Sequence, residues 1–183
     1  CTEGEAKTMQ YFEREFLRLG LKPGFGNSYF QEVPLVEVRC TPSDQMTFNI
    51  GNQCVNMKYI NDFVVFSKRI KEKTELNEIP LVFAGYGINA PEYNWNDYAG
   101  IDVKNKVVVV LVNDPGFNSG DSSFFKGNVM TYYGRWTYKY EEAARQGAKG
   151  ILIIHENEPA GYPWSVVLSG AVIPKLYLQP EDN

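Results

Sequence analysis

The feature that most constrains the fold is an apolar run followed, after a loop, by an aromatic helix and a second apolar run. Residues 106–112 form a run that consists mainly of β-branched valines, which is typical of a strand covered on both faces. Residues 150–154 form a second such run. The helix between them ends at Gly147, and its predicted apolar face consists of Tyr133, Trp136, Tyr140 and Ala144. This order predicts a right-handed crossover between two parallel strands.

The first third of the chain predicts a capped helix followed by extended segments. Thr2 and Glu5 match a capping box, and Gly20 is placed to end the helix. The apolar stripe of this helix consists of Met9, Phe12, Phe16 and Leu19. Pro34 places the first extended segment at a sheet edge or a bulge. The extended segments are residues 29–38, 46–50, 53–57 and 62–67.

A charged stretch at residues 68–75 separates these segments from the next predicted strand. Exposed polar segments are common places for domain boundaries, so we predict one region at 1–70 and a second at 71–183. The alternative, a solvated connection inside one domain, stays open. A chain of 183 residues is long enough for one large domain or two small ones.

The charge balance argues against nucleic acid and anionic membrane surfaces as main partners. The chain has 18 basic and 22 acidic residues and no basic run. It has no apolar stretch long enough for a membrane span and no visible targeting signal. A lipid-modified Cys1 is an alternative. Cys40 and Cys54 either pair or remain buried thiols, and we favour thiols because the spacing does not require a bridge.

A glycine-rich segment after a predicted strand matches the dinucleotide-binding fingerprint. Gly85, Gly87 and Ala90 have the required spacing, and Asp114 stands at the end of a later strand as the ribose ligand. That fingerprint needs a long helix whose first amides hold the pyrophosphate. Pro91 follows at once, and Asn94, Asn96 and Gly100 leave room for one short helical turn, so we predict that no dinucleotide binds here.

Two further constellations could carry chemistry. His155 stands at a strand end beside Glu156, where it could act as an acid or base or join Asp114 in a metal site. A single histidine without a ligand-spacing motif favours a structural, hydrogen-bonded role instead. Ser169 lacks the preceding glycine of a nucleophile elbow, so nucleophilic catalysis has no support in the sequence.

A set of aromatic and polar residues is the best candidate for a recognition surface. Tyr, Trp and Arg combine a large contact area with directed hydrogen bonds, although they also fill cores. We favour core positions for Tyr133 and Trp136 and leave both interpretations open for the others. The set is Asn113, Asp114, Tyr132, Tyr133, Arg135, Trp136, Tyr162 and Trp164.

These segments together resemble a known domain. The sequences LVFAGYGI (81–88), PEYNWNDY (91–98) and KVVVVLVNDPGF (106–117), with the aromatic helix, are similar to the protease-associated domain of bacterial di-zinc aminopeptidases. Relatives of that family include leucyl aminopeptidases, glutamate carboxypeptidase and the transferrin receptor. The resemblance continues through GILIIHE (150–156) and covers most of residues 78–170. Residues 2–5 and 19–24 resemble the first helix and turn of the family's peptidase domain, which the protease-associated domain interrupts.

The resemblance implies an α/β fold: a small mixed sheet or partly closed barrel with flanking helices, plus an N-terminal helix and strands. It also implies a non-catalytic region that shapes substrate access to a peptidase domain. Zinc is expected in the full-length enzyme and not in this chain, because no residue matches the family's ligand motifs. The expected partners are the rest of the peptidase domain and peptide substrates, and the expected location is secreted or periplasmic.

Two alternatives to a peptidase insert stay open. One is a stand-alone module that binds a peptide, a carbohydrate or a partner protein. The other is a complete small hydrolase that uses His155 and Asp114, which predicts turnover by this chain alone.

Overall fold

The structure, a computed structural model, describes residues 2–179. The helices are α1 (Glu3–Arg18), α2 (Trp136–Arg145), α3 (Asn157–Ala160) and α4 (Trp164–Val172). The strands are β1 (Leu35–Val38), β2 (Gln45–Ile50), β3 (Gln53–Lys58), β4 (Leu81–Phe83), β5 (Asn89–Ala90), β6 (Trp95–Asn96), β7 (Val107–Leu111), β8 (Gly150–Ile154) and β9 (Lys175–Leu178). Short 3₁₀ helices span Pro91–Tyr93 and Tyr132–Gly134.

The chain forms two compact units. The first unit combines residues 1–39 with residues 174–183, and the second unit is residues 40–173. The second unit is therefore inserted into the first in sequence. The charged stretch at 68–75 lies inside the second unit. The predicted domain boundary between residues 1–70 and 71–183 stays a prediction.

The first unit contains the capped helix that the sequence predicts. The Glu5 amide donates to the Thr2 hydroxyl at 3.3 Å, and the Thr2 amide donates back to the Glu5 carboxylate at 3.3 Å. Gly20 follows the helix with φ +72°, a conformation that glycine adopts without strain. Strands β1 and β9 pair antiparallel, with Leu35 opposite Leu178. The two separate stretches of the first unit are thus joined by a β-ribbon.

A three-stranded parallel sheet in the order β4-β7-β8 organises the second unit. Helix α2 lies between β7 and β8 in sequence, so the predicted strand, helix and parallel strand are confirmed. One face of the sheet forms a core in which Val108 and Val110 pack with Tyr98 and Val103. Burying such aliphatic side chains contributes about 1.5–3 kcal/mol each, which makes this face a main source of stability for the unit.

The mixed α/β class with flanking helices is confirmed, but the described sheets do not close into a barrel. Closure requires two neighbours for every strand, and within residues 2–179 both β4 and β8 pair with β7 alone. The larger sheet is parallel throughout, and the remaining sheets are two-stranded antiparallel ribbons. The segment at 62–67, predicted as extended, is not part of a strand: only Phe63 forms a bridge, with Tyr59.

Candidate functional site

The predicted site residues Asn113 and Asp114 follow β7 at the carboxyl edge of the parallel sheet. Ligands of open parallel sheets bind at this edge because loops from neighbouring strands meet there. Residues 84–88 follow β4, and His155 follows β8. We call these three segments, together with the 3₁₀ helix Tyr132–Gly134 and the start of α2, the carboxyl edge. Several of the predicted site residues belong to it.

Asp114 is a fully buried carboxylate that holds a long loop in place. One of its oxygens accepts from the Gly116 amide at 3.1 Å. The other accepts from the Thr131 amide at 2.9 Å and from the Thr131 hydroxyl at 2.6 Å. Its oxygens are therefore used to join both ends of the loop at 114–131, as expected for a buried charge that needs hydrogen-bond partners.

Asn113 connects β7 to the segment after β8. Its side-chain oxygen accepts from the Asp114 amide at 2.8 Å, and its side-chain nitrogen donates to the Pro159 carbonyl at 2.8 Å. Its φ of +70° is unfavourable for most residues but accessible to asparagine. Burial and backbone conformation thus explain this residue as a structural connection within the edge.

The inward face of α2 differs from the predicted one. The buried residues of the helix are Tyr138, Lys139, Glu142 and Ala143. Ala144 is exposed, and Trp136 and Tyr140 are half-buried. The prediction assumed one continuous helix from Tyr133, whereas a 3₁₀ helix ends at Gly134 and α2 begins at Trp136. Tyr133 therefore does not belong to the same helix as Trp136, and within α2 the face that carries Lys139 points inward.

Lys139 is the residue that the sequence analysis missed. Its side chain is fully buried, and its ammonium donates to the carbonyl oxygens of Tyr86 at 2.6 Å, Asn113 at 2.8 Å and Tyr133 at 3.1 Å. Burial lowers the pKa of Lys139 to about 7, and the charge of Asp114 acts in the opposite direction. The small residue Ala143, one turn after Lys139, is the sequence feature that could have indicated that this side of the helix faces the core.

Tyr133 packs at the margin of a second core and carries a polar contact outward. Its ring lies 4.8 Å from that of Tyr138 and 5.8 Å from that of Phe125. Its hydroxyl donates to the Glu92 carboxylate. This hydrogen bond, together with burial, raises the pKa of Tyr133 to about 12. The same hydrogen bond lowers the pKa of Glu92. Tyr132 is exposed, and its hydroxyl donates to Glu141 at 2.9 Å.

Four aromatic rings lie beyond the end of β8, and we call them the aromatic group: Trp136, His155, Tyr162 and Trp164. The His155 ring lies 5.4 Å from Tyr162, 5.7 Å from Trp164 and 6.4 Å from Trp136. All four side chains are half-buried. Such a partly exposed group of rings can provide a large and rigid contact area.

The polar atoms of the aromatic group are only partly paired. A ring nitrogen of His155, Nε2, lies 3.2 Å from the Tyr162 carbonyl oxygen. The Trp164 indole donates to the Ile60 carbonyl at 3.3 Å, and Ile60 has a φ of +73°, which is unusual for a β-branched residue. Trp136 Nε1 and His155 Nδ1 are buried without a hydrogen-bond partner among the described residues.

Arg135 is exposed at the start of α2. Its backbone amide donates to the Tyr132 carbonyl at 3.0 Å. Burial raises the pKa of Tyr162, and the nearby charge of Arg135 acts against that shift. The structure therefore brings Arg135 near the aromatic group and leaves its guanidinium accessible.

The glycine-rich segment after β4 is filled by a side chain of the protein. The amides of Tyr86 and Ile88 donate to one oxygen of Asp97 at 3.1 and 3.0 Å. A Cβ added at Gly85 would lie 2.6 Å from the same carboxylate. The segment leads to a three-residue 3₁₀ helix, as the short-turn prediction expected. These amides are therefore used within the protein, where a dinucleotide-binding loop would offer them to a phosphate.

Other candidate features lie apart from these residues. Cys40 is half-buried and Cys54 exposed, and both are free thiols, so the prediction of a buried thiol is wrong for Cys54. Within residues 2–179, no three His, Cys, Asp or Glu side chains are grouped so that they could hold a metal ion. No helix in this part of the chain has the length and apolar character needed to cross a membrane.

In comparisons with known proteins, no family model, no curated protein and no solved structure matches this chain.

Proposed function

We propose that the second unit is a non-catalytic recognition module inserted into a peptidase domain, where it shapes the access of peptides to the catalytic cleft. The observation that carries this proposal is the insertion itself. The chain leaves the first unit after Arg39 and re-enters it at Pro174, and β1 and β9 pair across that interruption. An insert of this kind is what the resemblance to protease-associated domains implies.

The first unit exposes apolar side chains, and this exposure supports the proposal that a partner covers them. Every residue of α1 is exposed or half-buried, although Met9 and Phe12, with Leu19 directly after the helix, form an apolar stripe. Their exposed fractions are 40%, 47% and 60%. A stripe of this size facing water is unfavourable and typical of an interaction surface. The proposed partner is the remainder of the peptidase domain.

The carboxyl edge supports contact with peptides. Tyr132 is 56% exposed, and Arg135 directly precedes the half-buried Trp136. Aromatic rings offer area for side chains, and a guanidinium binds a carboxylate through two parallel hydrogen bonds. A peptide whose carboxylate or acidic side chain meets Arg135 therefore fits this surface.

Zinc belongs to the proposed parent enzyme. Both oxygens of Asp114 already accept hydrogen bonds, and one nitrogen of His155 lies against a carbonyl. The described residues do not fit a zinc ion, so we derive no step through a metal from them. Secretion or periplasmic export is part of the same proposal.

The test is the kinetics of the parent peptidase with Tyr132→Ala and Arg135→Ala in the inserted unit. Because these side chains touch substrate beyond the reacting bond, KM should rise several-fold for longer peptides and stay unchanged for dipeptides. The control is Lys104→Ala, an exposed cation that precedes β7 at the opposite edge of the sheet. Equal kcat/KM values for every variant and every peptide length would refute the proposed role.

Assays of this chain alone separate the alternatives. Peptide binding that depends on Arg135, in a protein whose gene encodes no peptidase, would favour a stand-alone module. Hydrolysis that disappears in a His155→Ala variant would favour a complete small hydrolase and contradict the proposal.

A further inference from the structure

The ammonium of Lys139 joins three separate segments of the carboxyl edge. It donates to the carbonyls of Tyr86 in the loop after β4, Asn113 after β7, and Tyr133 in the 3₁₀ helix before α2. A lysine ammonium has three N–H donors and no acceptor. Three carbonyl oxygens therefore satisfy the charged side chain completely.

A neutral amine does not fit the same three acceptors. It has two N–H donors and a lone pair, so one carbonyl oxygen would face the lone pair without a hydrogen between them. Leaving a buried acceptor without its donor is unfavourable. The three segments consequently share this contact only while the side chain carries its proton.

We propose that Lys139 joins the three segments in its charged form only, so that the carboxyl edge loosens when the ammonium loses its proton. Asn113 and Tyr133 belong to the predicted recognition surface, and both are bound to Lys139 through their carbonyl oxygens. The arrangement of that surface would then follow pH, whether or not the protein acts with a peptidase.

The groups around Lys139 place this change within the physiological range. Burial lowers the pKa of Lys139 to about 7, against the opposing charges of Asp114 after β7 and Asp97 after β6. The Tyr86 ring lies 5.9 Å from the ammonium, and burial raises the pKa of its hydroxyl, so it stays neutral. Glu142, on the next turn of α2, is paired with an arginine of the same helix at 2.8 Å.

Carbon NMR on the labelled chain tests the proposal directly. We expect the Lys139 Cε signal and the carbonyl carbons of Tyr86, Asn113 and Tyr133 to titrate with one shared midpoint near pH 7. A Lys139 midpoint at the ordinary value of a lysine side chain, about 10.4, would overturn the proposal. So would carbonyl signals whose midpoints differ from that of the Lys139 Cε signal.

Two variants separate this effect from a general response to pH. Lys139→Met keeps the length and apolar character of the side chain without the charge, and it should abolish the shared titration of the three carbonyls. Lys149→Met should leave it intact. Persistence of the titration in folded Lys139→Met protein would contradict the proposal. If that variant does not fold, the agreement or disagreement between the Cε and carbonyl midpoints of the unmodified protein decides.

Discussion

Replacing Asp114 with asparagine should destabilise the second unit strongly, because the carboxylate accepts three hydrogen bonds in a fully buried position. Asparagine retains one acceptor oxygen. Its NH₂ group must then face the amide and hydroxyl of Thr131 or the amide of Gly116. The hydroxyl can rotate to accept, but one buried backbone N–H remains without an acceptor.

The magnitude follows from these contacts. An unsatisfied buried N–H costs about 1–3 kcal/mol, and hydrogen bonds to a charged group exceed neutral ones by about 1 kcal/mol each. Two surviving bonds weaken in this way, so we expect a loss of about 3–5 kcal/mol in the free energy of unfolding. Removing the charge of Asp114 also takes away the first of the two carboxylates that favour the charged form of Lys139.

Urea unfolding followed by tryptophan fluorescence measures this loss. All three tryptophans, at positions 95, 136 and 164, lie in the second unit, so the signal reports on that unit. Asp121→Asn is the matched control, because this exposed aspartate in the same loop caps a local turn. It should leave the unfolding midpoint nearly unchanged.

Thr131→Val tests whether the hydrogen bonds of Asp114 are the cause of the lost stability. It removes only the hydroxyl donor and should cost about 1–2 kcal/mol. The double variant should lose less than the sum of the two single losses, since both remove the same contact. A loss below about 1 kcal/mol for Asp114→Asn, or an additive double variant, would refute the reasoning.

Two more predictions concern residues of the same edge. Because the bond to Glu92 and burial raise the pKa of Tyr133 from 10.0 to about 12, the phenol stabilises the fold below pH 10 and loses that contribution as pH rises toward 12. Tyr133→Phe should remove this alkaline loss, measured by melting temperature against pH, and an identical profile would contradict it. Asn113→Gly keeps the φ of +70° accessible, whereas Asn113→Ala adds backbone strain of about 1 kcal/mol or more to the lost bonds with Asp114 and Pro159. The denaturant midpoint of the Asn113→Gly variant should therefore be higher than that of the Asn113→Ala variant. The reverse order would show that backbone strain is not the cause of the lost stability.

Local signals in the sequence predicted the elements that depend on neighbouring residues. The Thr2 and Glu5 side chains reach only their own first turn, so the cap and start of α1 follow directly from the residue types. The turn residues Asn94, Asn96 and Gly100 leave little room for a helix, and the 3₁₀ helix that begins at Pro91 ends after three residues at Asn94, whose φ is +52°. The apolar runs of β7 and β8 require burial, and their parallel pairing follows from the helix that connects them.

Distant contacts decided the parts that the sequence analysis got wrong or left open. Lys139 was not among the residues of the predicted apolar face, yet three carbonyls from three segments surround it. Whether a lysine faces inward depends on acceptors that sequence spacing does not reveal. Asp97 likewise fills the glycine-rich loop because β6 returns beside β5.

Residue chemistry and short-range spacing thus settled how α1 is capped, the order of β7, α2 and β8 along the chain, and why the glycine-rich segment lacks a phosphate-binding helix. The tertiary structure decided the insertion of one unit into the other, the pairing of β1 with β9 and the inward face of α2. The physical reason is the sequence separation between the residues that make each contact. Caps, turns and helix breaks are controlled within a few residues, whereas a buried charge is stable only where separate parts of the chain bring its partners together.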